Sequence, residues 1–138
     1  MFRIGVLVSG GGTNLQAIID RIEDGYLSNC EITSVVSSKE GVFALERAKK
    51  HGISARCIAR KAYSNTEEYS SALAAHFEQE NVDLIVLAGF LTVLSENFIK
   101  RFENKIINVH PSLIPSFCGK GFYGLIPHEE ALKYGVKV

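Results

Sequence analysis

The run Ile4-Gly5-Val6-Leu7-Val8 passes without a spacer into Ser9-Gly10-Gly11-Gly12-Thr13-Asn14, and this junction constrains the fold more than any other stretch. The apolar run reads as a buried strand over residues 3–8. Directly after the glycines, Leu15, Ile18, Ile19 and Ile22 recur at i, i+3, i+4 and i+7, the stripe of an amphipathic helix. Thr13 and Gln16 have capping-box spacing, and Gly25 suits the helix stop. The unit is therefore strand, glycine-rich turn, helix. Orphan first-turn N–H groups and the helix dipole favour a phosphate at such a turn, here Gly11, Gly12, Thr13 and Asn14. The pattern is not GxGxxG, because Leu15 takes the third glycine's place, and it has no Walker lysine. Glycines that merely permit a tight βα turn would leave the same trace.

The alternation continues along the chain. Further strands are expected at residues 32–37, 55–59, 83–88 and 105–109, and helices at 42–51, 95–102 and 127–134. Another helix, capped by Ser64 and Glu67, runs to about Glu80, with Tyr69, Leu73, His76 and Phe77 on one face. His76 reads as a half-buried helix residue. Asp83-Leu84-Ile85-Val86-Leu87-Ala88 is nearly continuous and apolar, as in a parallel sheet covered on both faces. The expected fold is α/β: a doubly wound, mostly parallel, Rossmann-like sheet in three α/β/α layers. At this length one domain over residues 1–138 is expected. Val136-Lys137-Val138 opens a strand pattern with no terminator, so the domain is expected to be truncated at its C-terminus.

At the last strand Asn108 and His110 are two apart, which places them on the same side. Pro111 stops the strand there. Ligands of open parallel sheets bind at the carboxyl ends of strands. An amide there can donate to an oxyanion, and an imidazole can exchange a proton near neutral pH. Two polar residues capping a buried strand remain an open alternative. Residues 111–126 hold two prolines with Gly119, Gly121 and Gly124, without periodicity, and read as a lid-like loop. His128, at the start of the last helix, reads as solvated.

The 138 residues are 46% hydrophobic with a formal net charge of zero, so no global field favours nucleic acid or a membrane surface. No apolar run reaches transmembrane length. Cys30, Cys57 and Cys118 are odd in number, scattered and without zinc spacing, which suggests reduced thiols in the cytoplasm and no metal.

Four stretches together carry a resemblance: residues 6–18, from Val6-Leu7-Val8-Ser9 to Ala17-Ile18; Leu45-Glu46-Arg47-Ala48; Leu87-Ala88-Gly89-Phe90-Leu91; and Asn108-Val109-His110-Pro111-Ser112-Leu113-Ile114-Pro115. In this order they resemble the phosphoribosylglycinamide formyltransferases of the folate formyltransferase superfamily. The His-Pro-Ser-Leu core is common to the superfamily and some deformylases, whereas the first turn points to the glycinamide ribonucleotide enzymes. The resemblance implies transfer of a formyl group from 10-formyltetrahydrofolate, as co-substrate, to the amine of 5′-phosphoribosylglycinamide in de novo purine (IMP) biosynthesis. It gives Asn108 the oxyanion contact and His110 the general-acid role. Gly11, Gly12, Thr13 and Asn14 would hold the substrate phosphate. Phe90, Leu91, Thr92, Val93 and Leu94, with Asn108, would bind the folate, and Pro111 would touch the ribonucleotide side. Thr92 and Thr66 stand where some members carry arginine. The family's catalytic aspartate lies beyond the helix ending at Tyr134 and has no counterpart here. The implied partners are small molecules only, and the implied assembly is a monomer or homodimer. Formyltetrahydrofolate hydrolysis and a non-catalytic nucleotide- or folate-binding domain are the alternatives. A cofactor-binding Rossmann domain is disfavoured, because Val36-Ser37-Ser38-Lys39 puts no acidic residue at the end of the second strand.

Overall fold

The computed structural model describes residues 1–109, 128–130 and 133. The chain divides into two compact units, Met1–Asn108 and Val109–Val138. The first contains β1 (Phe2–Val8), α1 (Thr13–Glu23), β2 (Cys30–Ser37), α2 (Phe43–Lys50), β3 (Ala55–Cys57), α3 (Thr66–Gln79), β4 (Leu84–Leu87), α4 (Glu96–Arg101) and β5 (Ile106–Asn108). The five strands form one sheet in the order β3-β2-β1-β4-β5, and every pairing is parallel. In the second unit residues 128–130 and 133 are helical, and Lys133 Nζ lies 3.0 Å from Glu130 Oε1. The loop expected at residues 111–126, His110 and Cys118 lie outside the described residues.

The strand period explains the layers. On β1, Ile4, Val6 and Val8 point into a cluster with Leu15 and Ile19 of α1 and Ala44, Leu45 and Ala48 of α2. Leu7 points the other way, to Tyr69, Leu73 and Phe77 of α3 and Phe98 of α4. Each large apolar side chain buried this way contributes roughly 1.5–3 kcal/mol. This is the doubly wound, three-layer arrangement expected from the alternation. Gly5 belongs to the α3 face, and a Cβ added there would stand 2.5 Å from the Phe77 ring. The missing side chain is what lets α3 approach the central strand.

Between Ile4↔Ile32 and Gly5↔Ser34 the β1–β2 register slips by one residue. Thr33 is the extra residue of a β-bulge, and the buried Ser34 turns beneath α3. Its Oγ lies 3.0 Å from His76 Nε2 and 2.5 Å from Glu80 Oε1. His76 is the half-buried helix residue that the pattern implied.

Both N-terminal caps differ from expectation. Thr13 is already the first residue of α1, whose N-cap is Gly12 with no side-chain cap bond. The capping-box partner Gln16 turns instead to Asp20, 2.9 Å away. On α3 the cap is Asn65, one residue after Ser64, and its Oδ1 accepts from the Glu68 N–H at 2.9 Å. Asparagine caps at least as well as serine, so local preference did not separate the two. The strand expected at 55–59 ends at Cys57.

Candidate active site

The chain runs from β1 outward through β2 to β3, then crosses back to β4 and outward to β5. The direction reverses between β1 and β4, and in an open parallel sheet that point creates a crevice at the carboxyl ends. Two segments leave the sheet there: residues 9–12 after β1 and residues 88–95 after β4. One side chain joins them. Ser9, almost fully buried, accepts from the Leu91 N–H at 3.0 Å and shares a hydrogen bond of 2.7 Å with the buried Ser38 hydroxyl after β2.

The glycine turn is held from behind by α2. The Ala44 N–H donates to the Gly10 carbonyl at 3.1 Å, and Arg47 Nε–H donates to the Gly11 carbonyl at 2.7 Å. Gly12 has φ +78°, and a Cβ there would stand 2.7 Å from the Ala44 Cβ. That glycine serves the turn itself. Gly10 and Gly11 differ, because among the described residues a Cβ on either would meet nothing within 4 Å. Gly11, Thr13 and Asn14 are exposed. The α1 N-terminus beside them has no side-chain cap and no acidic residue in its first turn. Its positive end and orphan N–H groups therefore have no side-chain partner among the described residues.

Across the reversal point, the segment at residues 90–94 alternates between anchored and exposed. Phe90 and Leu94 pack against the α3–α4 core and Thr92 is half-buried. Leu91 and Val93 are 57% and 72% exposed. Ser95 fixes the far end: its N–H donates to Ser70 Oγ at 2.9 Å, and its own Oγ accepts from the Phe98 N–H. Two apolar side chains are thus held out toward solvent by a segment pinned at both ends. Asn108, at the carboxyl end of β5, is exposed and in register with Leu87.

A model of the family described as formyl transferase matches residues 2–138. The chain belongs to the formyl transferase family. It is 41% identical over 136 residues to the human trifunctional purine biosynthetic protein adenosine-3, covering 99% of this chain and 13% of that protein. With the phosphoribosylglycinamide formyltransferase of Haemophilus influenzae it shares 42% identity over 123 residues, covering 89% of this chain and 58% of that one. Among solved structures, glycinamide ribonucleotide transformylase 1 from Symbiobacterium toebii superposes with a TM-score of 0.88 at 38% identity, covering 99% of this chain and 62% of that one. The chain therefore spans under two thirds of the length of each of these relatives.

Within this formyl transferase fold, residues 11–14 and 90–94 flank the same reversal point, joined through Ser9 and Leu91. Asn108 ends the strand beyond β4. His110 lies outside the described residues. Among the described residues no three His, Cys, Asp or Glu side chains are grouped to hold a metal ion, and no helix is long and apolar enough to cross a membrane. A cavity of about 350 Å³ lies at the opposite, amino-terminal edge of the sheet, lined by Glu78, Asp83, Arg101 and Lys105 among others. It holds none of the predicted site residues. Sequence reasoning missed Ser9, Ser38 and Arg47. Helical spacing puts Arg47 on the face of Ala44, three residues before it, but names no partner for that face.

Proposed function

We propose that this chain carries the catalytic core of a phosphoribosylglycinamide formyltransferase, moving a formyl group from 10-formyltetrahydrofolate to the amine of 5′-phosphoribosylglycinamide in purine synthesis. The observation that supports it best is the pairing at one reversal point of a glycine-led, uncapped helix N-terminus and a pinned segment presenting Leu91 and Val93. The first matches a phosphate and the second a flat heterocycle. The likeness to the Haemophilus influenzae enzyme supports the same substrates.

In this reading the N–H groups of Gly11, Gly12, Thr13 and Asn14 hold the phosphate, and Phe90, Leu91, Thr92, Val93 and Leu94 wall the pterin. The amine lone pair attacks the formyl carbon, and the carbonyl electrons move onto oxygen. The Asn108 amide donates to that oxyanion, a contact worth about 10²–10³ in rate. As the tetrahedral intermediate collapses, the bond to the folate nitrogen breaks. His110, as general acid, supplies the proton that nitrogen takes up, and the substrate nitrogen gives up its own proton to water, from which the imidazole is reprotonated. No metal is needed in this sequence. One formyltransferase-like domain over residues 1–138, cytoplasmic, acting on small molecules as a monomer or homodimer, completes the proposal.

The test is release of tetrahydrofolate from 10-formyltetrahydrofolate, followed with and without 5′-phosphoribosylglycinamide. Release that depends on the ribonucleotide and yields its formyl product supports the proposal. Equal release in its absence would make the protein a hydrolase, and no release together with no binding of either small molecule would remove the reading.

A further inference from the structure

We propose that Arg47 is a positioning residue for the substrate phosphate, acting through the glycine turn rather than by touching the ligand. The inference rests on the reading of residues 11–14 as the phosphate cradle. A trans peptide sets its N–H antiparallel to its C=O. The Gly10 carbonyl is turned toward α2 by the Ala44 N–H, and the Gly11 carbonyl is turned the same way by Arg47 Nε–H. The N–H groups of Gly11 and Gly12 belong to those two peptides, so they are turned away from α2. Two consecutive N–H groups aimed one way form an anion-binding nest, continued by the first turn of α1.

Only a forked donor does what Arg47 does. Nε–H holds the Gly11 carbonyl at 2.7 Å, while Nη1 reaches Gln16 Oε1 on α1 at 3.3 Å. One rigid plane thereby ties the turn to the helix it feeds. The plane is itself held by the Phe43 ring, whose centroid is 4.7 Å from Cζ. Without the Gly11 contact, the carbonyl of the Gly11–Gly12 peptide loses the bond that turns it toward α2, and between two glycines the peptide can rotate so that its N–H leaves the nest. A lysine would keep the charge and lose the fork.

The experiment measures calorimetric affinity for 5′-phosphoribosylglycinamide and for its dephosphorylated ribonucleoside, with KM and kcat for both substrates, in the wild type, Arg47→Met, Arg47→Lys and Lys49→Met. Lys49 is exposed on the same helix and pairs with Glu46, so it controls for loss of one positive charge. Arg47→Met is expected to weaken the ribonucleotide roughly ten- to a hundredfold, the scale of a hydrogen bond from a charged donor. It should leave nucleoside affinity, the folate KM and kcat unchanged. Arg47→Lys should recover little of the loss, and Lys49→Met should match the wild type. Should Arg47→Met fail to fold, the Arg47→Lys arms decide alone. Equal losses for ribonucleotide and nucleoside, full recovery by lysine, or no loss at all would each overturn the proposal while leaving the phosphate cradle standing. A wild type that binds the nucleoside as tightly as the ribonucleotide would overturn the cradle itself, and the role of Arg47 with it.

Discussion

At Gly12 two constraints meet: a left-handed backbone and a helix pressed against the position where a side chain would begin. The three consecutive glycines were visible in the sequence, but not their division of labour. Gly12 belongs to the turn, and a side chain at Gly10 or Gly11 would meet none of the described residues within 4 Å. The division predicts different costs. Gly12→Ala should lose roughly 1–3 kcal/mol in urea denaturation, since a non-glycine residue there is both strained and crowded. Gly10→Ala meets nothing within 4 Å and should stay close to the wild type. Equal losses at both positions would contradict this account of the turn. The contacts of Ser9 and Arg47 were not legible in the same way. Ser9 meets the Leu91 N–H across 82 positions and Arg47 meets the Gly11 carbonyl across 36, and local periodicity carries no information over such separations.

Between elements, the contact that answers to pH is the one joining α3 to the bulge in β2. His76 lies against Ser34 of β2, Arg56 of β3 and Glu80 at the end of its own helix. Burial lowers its imidazolium below the ordinary 6.5; the Glu80 carboxylate opposes that shift and Arg56 adds to it. A histidine whose folded pKa is lowered binds its proton more readily when unfolded. Its neutral form therefore contributes stability that is fully present above the unfolded value of about 6.5 and is lost as pH falls toward the lower folded value. Thermal melts should show a loss of stability below pH 6.5 that His76→Gln makes smaller. An identical pH dependence in the variant would refute the assignment. The apolar faces of these elements were readable from period alone, because Tyr69, Leu73 and Phe77 repeat every four residues and all three are buried. The caps were not. Thr13 against Gly12, and Ser64 against Asn65, differ by one residue in backbone conformation, which side-chain preference does not resolve.

For the molecule as a whole, the sheet was legible because the centres of β1 and β4 are buried on both faces and therefore read as nearly continuous apolar runs. Parallel strands need crossover helices, so the alternation of the two periods leaves few other topologies. The short outer strands β3 and β5 have less burial to declare, and they were read a residue or two too long. The site was legible in outline because glycine turns and strand ends are local features. What fixes their mutual placement, the Ser9 bridge and the α2 contacts, is tertiary. The central claim is that this placement makes the glycine turn a phosphate cradle beside the folate wall. The most direct measurement is a titration of backbone amide resonances with 5′-phosphoribosylglycinamide and, separately, with its dephosphorylated ribonucleoside. The account predicts that the ribonucleotide moves the amides of Gly11, Gly12, Thr13 and Asn14 most, and that these shifts vanish when the phosphate is removed. Shifts that survive removal of the phosphate, or that centre on Glu78, Arg101 and Lys105 at the opposite edge of the sheet, would contradict it.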